Sequence, residues 1–189
     1  MNSGTNEDKN DRVETLTQLL DECALGLLAS CGLTSAQARV PGVSESSRCL
    51  AAFIGFGGGL AKGALTVVVP MPLLRRTHPS GDRSAPLSDK DASDWSCEFV
   101  NQLFGRYKNR LLRRGLVVEV GIPQAVLAEH LRIVASPQSQ LISRAYAAEA
   151  FEMRVFLDFA MVPGVTLALV DKAAPEVEDI PAEGDLMLF

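Results

Sequence analysis

The chain contains one stretch of nearly strict alternation between apolar and polar residues, FEMRVFLDFAM at Phe151–Met161. Its odd-numbered positions are all apolar, whereas the positions between them include Glu152, Arg154 and Asp158. Successive side chains of a strand point to opposite faces of a sheet, so this alternation predicts a strand with one buried face. Strands of this kind are typical of antiparallel sheets that are covered on one face only.

The sequence around this strand predicts hairpin connections. Pro163-Gly164 predicts a turn directly after it, from which residues 165–170 return as the partner strand. Upstream, residues 49–56 and 60–69 are β-prone segments joined by Gly57-Gly58-Gly59, which predicts a second hairpin whose turn uses positive φ angles. Two shorter strands are predicted between the hairpins, at residues 116–122 and 127–134.

Hydrophobic periodicity predicts a long helix near the start of the chain. Apolar residues recur at steps of three and four from Val13 onward, which predicts a helix of about 18 residues that ends near Gly32. Residues 33–47 are rich in Ser, Ala, Pro and Gly and show little periodicity, so we expect a loop there. Residues 71–76 predict one helical turn, and residues 77–87 a second loop.

The longest predicted element is a second helix that begins after Ser88. Ser88 and Asp91 have the spacing of a capping box, and Gly115 is a suitable stop after Arg114. Hairpin-connected strands with one apolar face, together with two long helices, predict an α+β fold in which an antiparallel sheet carries the helices on one face.

The length of 189 residues predicts one domain with tails. The first dozen residues are polar and predict a disordered N-terminal tail, residues 1–12. The domain itself is expected to cover residues 13–172. Residues 173–189 form an acidic C-terminal tail, in which no Lys or Arg occurs after position 174 and the last four residues are apolar.

Composition argues against several classes of protein. The chain has 23 Asp and Glu against 18 Lys and Arg, whereas nucleic-acid binding needs a surplus of basic residues. Its longest apolar run is about half of the roughly 20 residues that a spanning helix requires, so we expect no membrane association. The four cysteines form no CxxC pair and are expected to be reduced thiols in the cytoplasm. The two histidines, His78 and His130, have no neighbouring ligands in the sequence, so we expect no metal site.

The second helix carries the only evident chemistry. At about 100° per residue, Phe99, Leu103 and Tyr107 fall on one side of it together with other apolar residues, which predicts the buried face. Glu98 and Asn101 fall on the opposite side, within roughly 60° of each other. They are expected to present a carboxylate and a carboxamide to solvent as an adjacent pair.

Gly105 lies between these two residues in helical angle, one turn farther along. Glycine inside a helix costs about 0.5–1 kcal/mol relative to alanine, so a bare patch here suggests close approach by another surface. The alternative is that Glu98 and Asn101 are merely solvated and that Gly105 lets a crossing element of the same chain pack. Cys97 lies near the border of the buried face and is interpreted as a packing residue, although a redox role is also open.

The order of these features resembles the CheX branch of the CheC/CheX/FliY chemotaxis phosphatases. The resemblance covers roughly residues 13–170 and includes the strand around Gly55 and the glycine-led second strand that ends near Val69. Its most diagnostic residues are Glu98-x-x-Asn101 followed by Gly105 and Lys108, and then Gly121-Ile122-Pro123.

The resemblance implies a phosphatase that acts on the phospho-aspartate of a CheY-type receiver domain in bacterial chemotaxis. Glu98 would pair with a receiver lysine, and Asn101 would orient the attacking water. The partner-binding surface would comprise Glu98, Asn101, Gly105, Lys108 and Asp94. Mg²⁺ would be supplied by the receiver, so the chain would need no cofactor of its own.

Two other functions remain open. A module of the same fold could bind a receiver or a signalling complex through this helix without catalysis. A small-molecule enzyme is weakly supported, because the sequence has neither a GxxxxGK[ST] loop nor an H-E-x-x-H pair. An exposed edge strand would also allow the domain to form a homodimer.

Overall fold

A seven-stranded antiparallel sheet forms the centre of the structure, a computed structural model that describes residues 4–39, 48–79, 87–129, 131–165 and 167. The helices in these residues are α1 (Gly4–Ser30), α2 (Met71–Thr77) and α3 (Asp89–Leu112). The strands are β1 (Gln37–Arg39), β2 (Cys49–Gly57), β3 (Ala61–Pro70), β4 (Glu119–Val120), β5 (Gln124–Ala128), β6 (Gln140–Ala148) and β7 (Phe151–Met161).

The strands lie in the order β1-β6-β7-β3-β2-β4, and β5 also pairs with β2. The predicted hairpin of β2 and β3 is present, with Phe53 opposite Thr66. The alternating strand β7 lies between β3 and β6, so the most regular strand of the sequence occupies the middle of the sheet.

All three helices contribute to one hydrophobic core on a single face of the sheet. That face presents Ile54, Val67 and Val155, each without exposed surface, and the ring of Phe56 stacks on Phe104 of α3 with 5.1 Å between centroids. Among the described residues, the other face carries a second, small buried cluster around Ala51 and Val68. The predicted fold class, an α+β protein with its long helices on one face of an antiparallel sheet, is therefore confirmed.

Helix α1 begins earlier than the sequence predicted. It starts at Gly4, so residues 4–12 belong to the helix and the prediction of a disordered tail over residues 1–12 is wrong for them. Lys9, Asn10 and Asp11 are exposed. Exposed residues such as these show no apolar period, yet adding turns to a helix that is already anchored costs little.

The structure changes the prediction for the partner of β7. The hairpin partner of β7 is β6, where no strand was predicted, whereas the prediction placed this partner at residues 165–170. Val165 and Leu167 lie in no strand, and the other residues of that segment fall outside the described part of the chain. Strand β1 likewise lies within the predicted loop 33–47, because three residues are too few to show a period and pair only when β6 is in place.

The strands predicted at residues 116–122 and 127–134 are replaced by β4 and β5. The two strands run along the same neighbour, β2, and the chain between them bonds to it through the Gly121 amide and the Gly55 carbonyl oxygen (2.8 Å). Pro123 follows and has no amide hydrogen to donate, so the ladder is interrupted there.

The turn between β2 and β3 contains glycine because neighbouring backbone lies close to it and not because it needs positive φ angles. Gly57, Gly58 and Gly59 do not have positive φ, which corrects the prediction for this hairpin. A Cβ on Gly58 would lie 2.3 Å from the Val117 carbonyl oxygen, so the turn requires glycine for close approach of the backbone.

None of the helices in the described ranges has the length and apolar character needed to cross a membrane. The acidic segment 173–189 and most of the predicted loop 77–87 lie outside those ranges.

Candidate functional site

The N-terminal end of α3 is fixed by a capping residue and by an ion pair with the residue that precedes β2. The Ser88 hydroxyl oxygen accepts a hydrogen bond from the Asp91 amide (3.1 Å), as the predicted cap requires. The Arg48 guanidinium donates to both carboxylate oxygens of Asp89 at 3.0 and 2.8 Å. Because Arg48 directly precedes β2, this pair holds the beginning of α3 beside the beginning of the strand.

The end of α3 is also set locally. Gly115 has a φ of 77°, and its amide bonds to the Leu112 carbonyl while the Leu116 amide bonds to the Leu111 carbonyl. This is the bonding pattern of a helix that ends on a left-handed glycine, and it confirms Gly115 as the stop.

The predicted buried face of α3 is confirmed. All six of its apolar residues have at most 2% of their surface exposed: Phe99, Val100, Leu103, Phe104, Tyr107 and Leu111. At the N-terminal half, the Trp95 indole nitrogen donates to the Thr77 hydroxyl of α2 at 3.0 Å. These contacts prevent α3 from rotating about its axis, so the opposite face has a defined direction.

The five predicted site residues form one stripe along that opposite face. Asp94, Glu98, Asn101, Gly105 and Lys108 follow one another at steps of four and three residues, which keeps them within about 80° of helical arc. Asp94, Asn101 and Gly105 are exposed, and Glu98 and Lys108 are half-buried. We call this set of five residues the α3 stripe. The structure brings together all of the residues that the sequence analysis selected.

The two carboxylates of the α3 stripe have different partners. The Lys90 ammonium lies 2.6 Å from an Asp94 oxygen, and this contact raises the pKa of Lys90. Glu98 instead accepts a hydrogen bond from the Gln102 amide nitrogen at 2.8 Å. The charge of Asp94 is thus balanced by a cation, whereas no cation from the described part of the chain pairs with Glu98.

The centre of the α3 stripe is open. A Cβ placed on Gly105 would have no other atom within 4 Å, so no described element packs against this glycine. That excludes the alternative in which Gly105 serves a crossing element from the described part of the chain. The Asn101 side chain makes no hydrogen bond within the described residues, so both its donor and its acceptor are available.

Three further residues of α3 border the site. Gln102 and the half-exposed Leu112 were not selected from the sequence, although the four-residue steps from Glu98 and Lys108 lead to them. The half-buried Cys97 was interpreted as a packing residue. Burial, and then the negative charge of Asp94, raise the pKa of its thiol, which is therefore protonated at neutral pH.

Metal-ligating side chains do not gather at this site. Among the described residues, no three His, Cys, Asp or Glu side chains are placed to hold one ion. What the α3 stripe offers is a charged acceptor and an uncharged donor–acceptor pair on a rigid, accessible helix.

Comparison with known proteins matches the chain to a protein family. The family model for chemotaxis phosphatase CheX matches residues 50–144, which is just over half of the 189 residues and includes the whole of α3. A comparison with curated protein sequences found no match.

Several solved structures share the fold. CheX from Vibrio vulnificus is 16% identical, with a TM-score of 0.64 over 77% of this chain and 99% of that chain. A chain of the CheX–CheY–BeF₃–Mg²⁺ complex from Borrelia burgdorferi is 12% identical, with a TM-score of 0.60 over 76% and 97%. FliY from Thermotoga maritima is 16% identical, with a TM-score of 0.53 over 82% and 90%.

Proposed function

The chain belongs to the CheX family of chemotaxis phosphatases, and we propose that it hydrolyses the phospho-aspartate of a CheY-type receiver domain. The observation that carries this proposal is the α3 stripe, in which Glu98 and Asn101 face solvent beside the uncovered Gly105. The Borrelia burgdorferi structure, in which CheX and CheY form a complex, supports a receiver as the partner.

Asn101 orients the attacking water in this proposal. A water oxygen attacks the phosphorus while the bond to the aspartyl oxygen breaks, which yields inorganic phosphate and a free carboxylate. An amide accepts one hydrogen bond from the water and donates another, and it does so without titrating. Phosphoryl transfer requires mainly such positioning and charge stabilisation, so a single well-placed amide is a sufficient contribution from this chain.

Glu98 sets the register of docking. Its carboxylate is expected to pair with a receiver lysine, and a charge-assisted contact of this kind fixes orientation as well as adding affinity. Asp94, Gly105 and Lys108 complete the docking surface along the same helix. The Mg²⁺ is proposed to arrive with the receiver, and the Borrelia burgdorferi complex, which contains CheX, CheY and Mg²⁺, supports this proposal.

The decisive test measures loss of phosphate from labelled receiver domains with and without the protein. We expect Asn101→Ala to reduce the single-turnover rate at saturating receiver by about 100-fold, the low end for removal of one positioned donor. The dissociation constant for the receiver should change little. Asn109→Ala makes the same chemical change at another exposed position of α3 and serves as the matched control.

The roles assigned to the two residues would be wrong if Asn101→Ala weakened docking and left the single-turnover rate unchanged. The assay begins with a screen of several receivers, from which the cognate one is chosen. A wild-type protein that accelerates none of them while binding one would favour the second candidate.

That second candidate is a non-catalytic module that binds a receiver or a signalling complex through the α3 stripe. The fold shared with Thermotoga maritima FliY favours it, because the same architecture occurs outside the proteins named CheX. If this candidate is correct, Asn101→Ala should alter only the binding of the receiver or signalling complex.

We further propose that the protein acts in the bacterial cytoplasm, where receiver domains are found. Homodimer formation stays a prediction, which light scattering of the purified protein at several concentrations tests directly.

A further inference from the structure

The two acidic residues of the α3 stripe are each contacted by a residue four positions away. Asp94 pairs with Lys90, whose side chain is 82% exposed. Glu98 accepts its hydrogen bond from Gln102, which is half-buried. The first contact joins an exposed cation to a carboxylate, whereas the second joins a half-buried, uncharged amide to one.

Gln102 lies on the flank of α3 that faces α1. The next residue on this flank, Arg106, reaches α1, where its guanidinium donates to the Ser30 hydroxyl at 3.4 Å. Around the helix, Gln102 and Asn101 lie on opposite sides of Glu98, so this hydrogen bond directs the Glu98 side chain away from Asn101. Only one oxygen of Glu98 is engaged, since no described residue donates to the other.

An uncharged donor has a specific consequence for a carboxylate that must bind a cation. Lysine at position 102 would form the favourable Glu-to-Lys pair of a helix and would neutralise Glu98 before the partner arrived. The amide restricts the rotamers of the side chain and leaves its full negative charge available. Restricting a flexible side chain in advance lowers the entropy lost when the complex forms.

We propose that Gln102 is a positioning residue that holds Glu98 in its docking orientation without neutralising it. The proposal rests on the receiver-docking function inferred above and adds a specificity to it. With one oxygen occupied, Glu98 presents a single acceptor, which suits the ammonium of a lysine better than the two-pronged guanidinium of an arginine.

The test measures the dissociation constant of the full chain for a CheY-type receiver held with beryllium fluoride and Mg²⁺, so that turnover is not needed. We expect Gln102→Ala to weaken binding about threefold and Gln102→Lys about tenfold, since the second change also neutralises the acid. At saturating receiver, the single-turnover rate should stay within about twofold of wild type. Gln102→Lys should lose its effect at high salt, where the introduced charge is screened.

The matched control lies on α1. Gln18 donates to Glu22, also four residues on, at 3.3 Å, and the pair lies outside the α3 stripe. Gln18→Ala and Gln18→Lys make the same two substitutions beside a glutamate that already lies 3.5 Å from the Arg110 guanidinium, and neither should alter receiver binding.

A double-mutant cycle separates positioning from a structural role. In a Glu98→Ala background, Gln102→Ala should have no further effect on the dissociation constant, because the group that it positions is gone. An unchanged dissociation constant in the single variant, or the same loss in both backgrounds, would overturn the proposal and leave the docking function standing. If no receiver bound the wild-type protein, the docking function itself would be overturned, and the proposal with it.

Discussion

The two faces of α3 differ in composition and in role. The face toward the sheet is apolar and closely packed, with Phe104 stacked on Phe56 at 5.1 Å. The face toward solvent carries the α3 stripe, where a Cβ on Gly105 would have no neighbour from the other described elements within 4 Å. The packed face fixes the orientation of the helix, and the solvent face carries the side chains that a partner can contact.

This contrast shows how a short motif acquires a function. Asn101 is exposed, and the half-buried Glu98 accepts a single hydrogen bond within the described residues, so changing either should cost little stability. Their orientation nevertheless depends on the packed face, because a helix that is free to rotate would direct them over many angles. Stability and activity should therefore be separable along α3, and the following variants test that separation.

The largest expected effect comes from neighbouring leucines on opposite faces. Leu111 is 2% exposed and Leu112 is 48% exposed. We expect Leu111→Ala to lower the free energy of unfolding by about 2–5 kcal/mol, as cavities in packed cores do. Leu112→Ala should change it by less than about 1 kcal/mol. Urea denaturation followed by circular dichroism measures both, and equal losses would show that the two faces do not differ as described.

A charge reversal on the solvent face should affect docking and not folding. We expect Glu98→Lys to weaken receiver binding by about tenfold or more, because the new ammonium repels the receiver lysine. Glu98→Ala should weaken it less. Calorimetric titration gives the dissociation constant, and the free energy of unfolding of both variants should match that of wild type. Undiminished binding by Glu98→Lys would place the docking contact elsewhere.

Substitution of Gly105 should raise the melting temperature and weaken receiver binding. Gly105→Ala removes a helix-breaking residue where space is open, so the melting temperature should rise by about 1–4 °C. The added side chain should also weaken receiver binding several-fold, and Gly105→Leu should weaken it further.

Gly58 provides the contrast to Gly105. A Cβ on Gly58 would lie 2.3 Å from the Val117 carbonyl oxygen, so Gly58→Ala should lower the melting temperature.

Improved receiver binding by Gly105→Leu would contradict the view that the α3 stripe needs a bare patch.

The smallest effect is expected at Asp94. Its carboxylate already lies 2.6 Å from the Lys90 ammonium, and both side chains are well exposed. Asp94→Asn should therefore alter receiver binding by less than about twofold. A loss as large as that of Glu98→Ala would show that the unbalanced charge of Glu98 is not what distinguishes the two acids.

Much of the site was predictable because it is local. The Ser88 cap, the Gly115 stop and the buried face of α3 all depend on spacings of a few residues, and the structure confirms each of them. The β2–β3 hairpin was predictable for the same reason.

The incorrect predictions concern residues whose conformation depends on segments far away in the sequence. Strand β6 has no clean alternation and forms because β7 offers it a partner. The reason for Gly58 is likewise a carbonyl group about sixty positions away, at Val117, and no turn rule contains that information.

Local spacing was enough to place Glu98 and Asn101 on one side of a helix, since the angle between two residues depends only on how far apart they are in the chain. It was also enough to separate them from the apolar residues of α3. Whether any other segment would cover that side was a question of long-range packing. In the folded protein the sheet, α1 and α2 gather against the opposite side, and the described chain leaves Asn101 and Gly105 accessible to a partner.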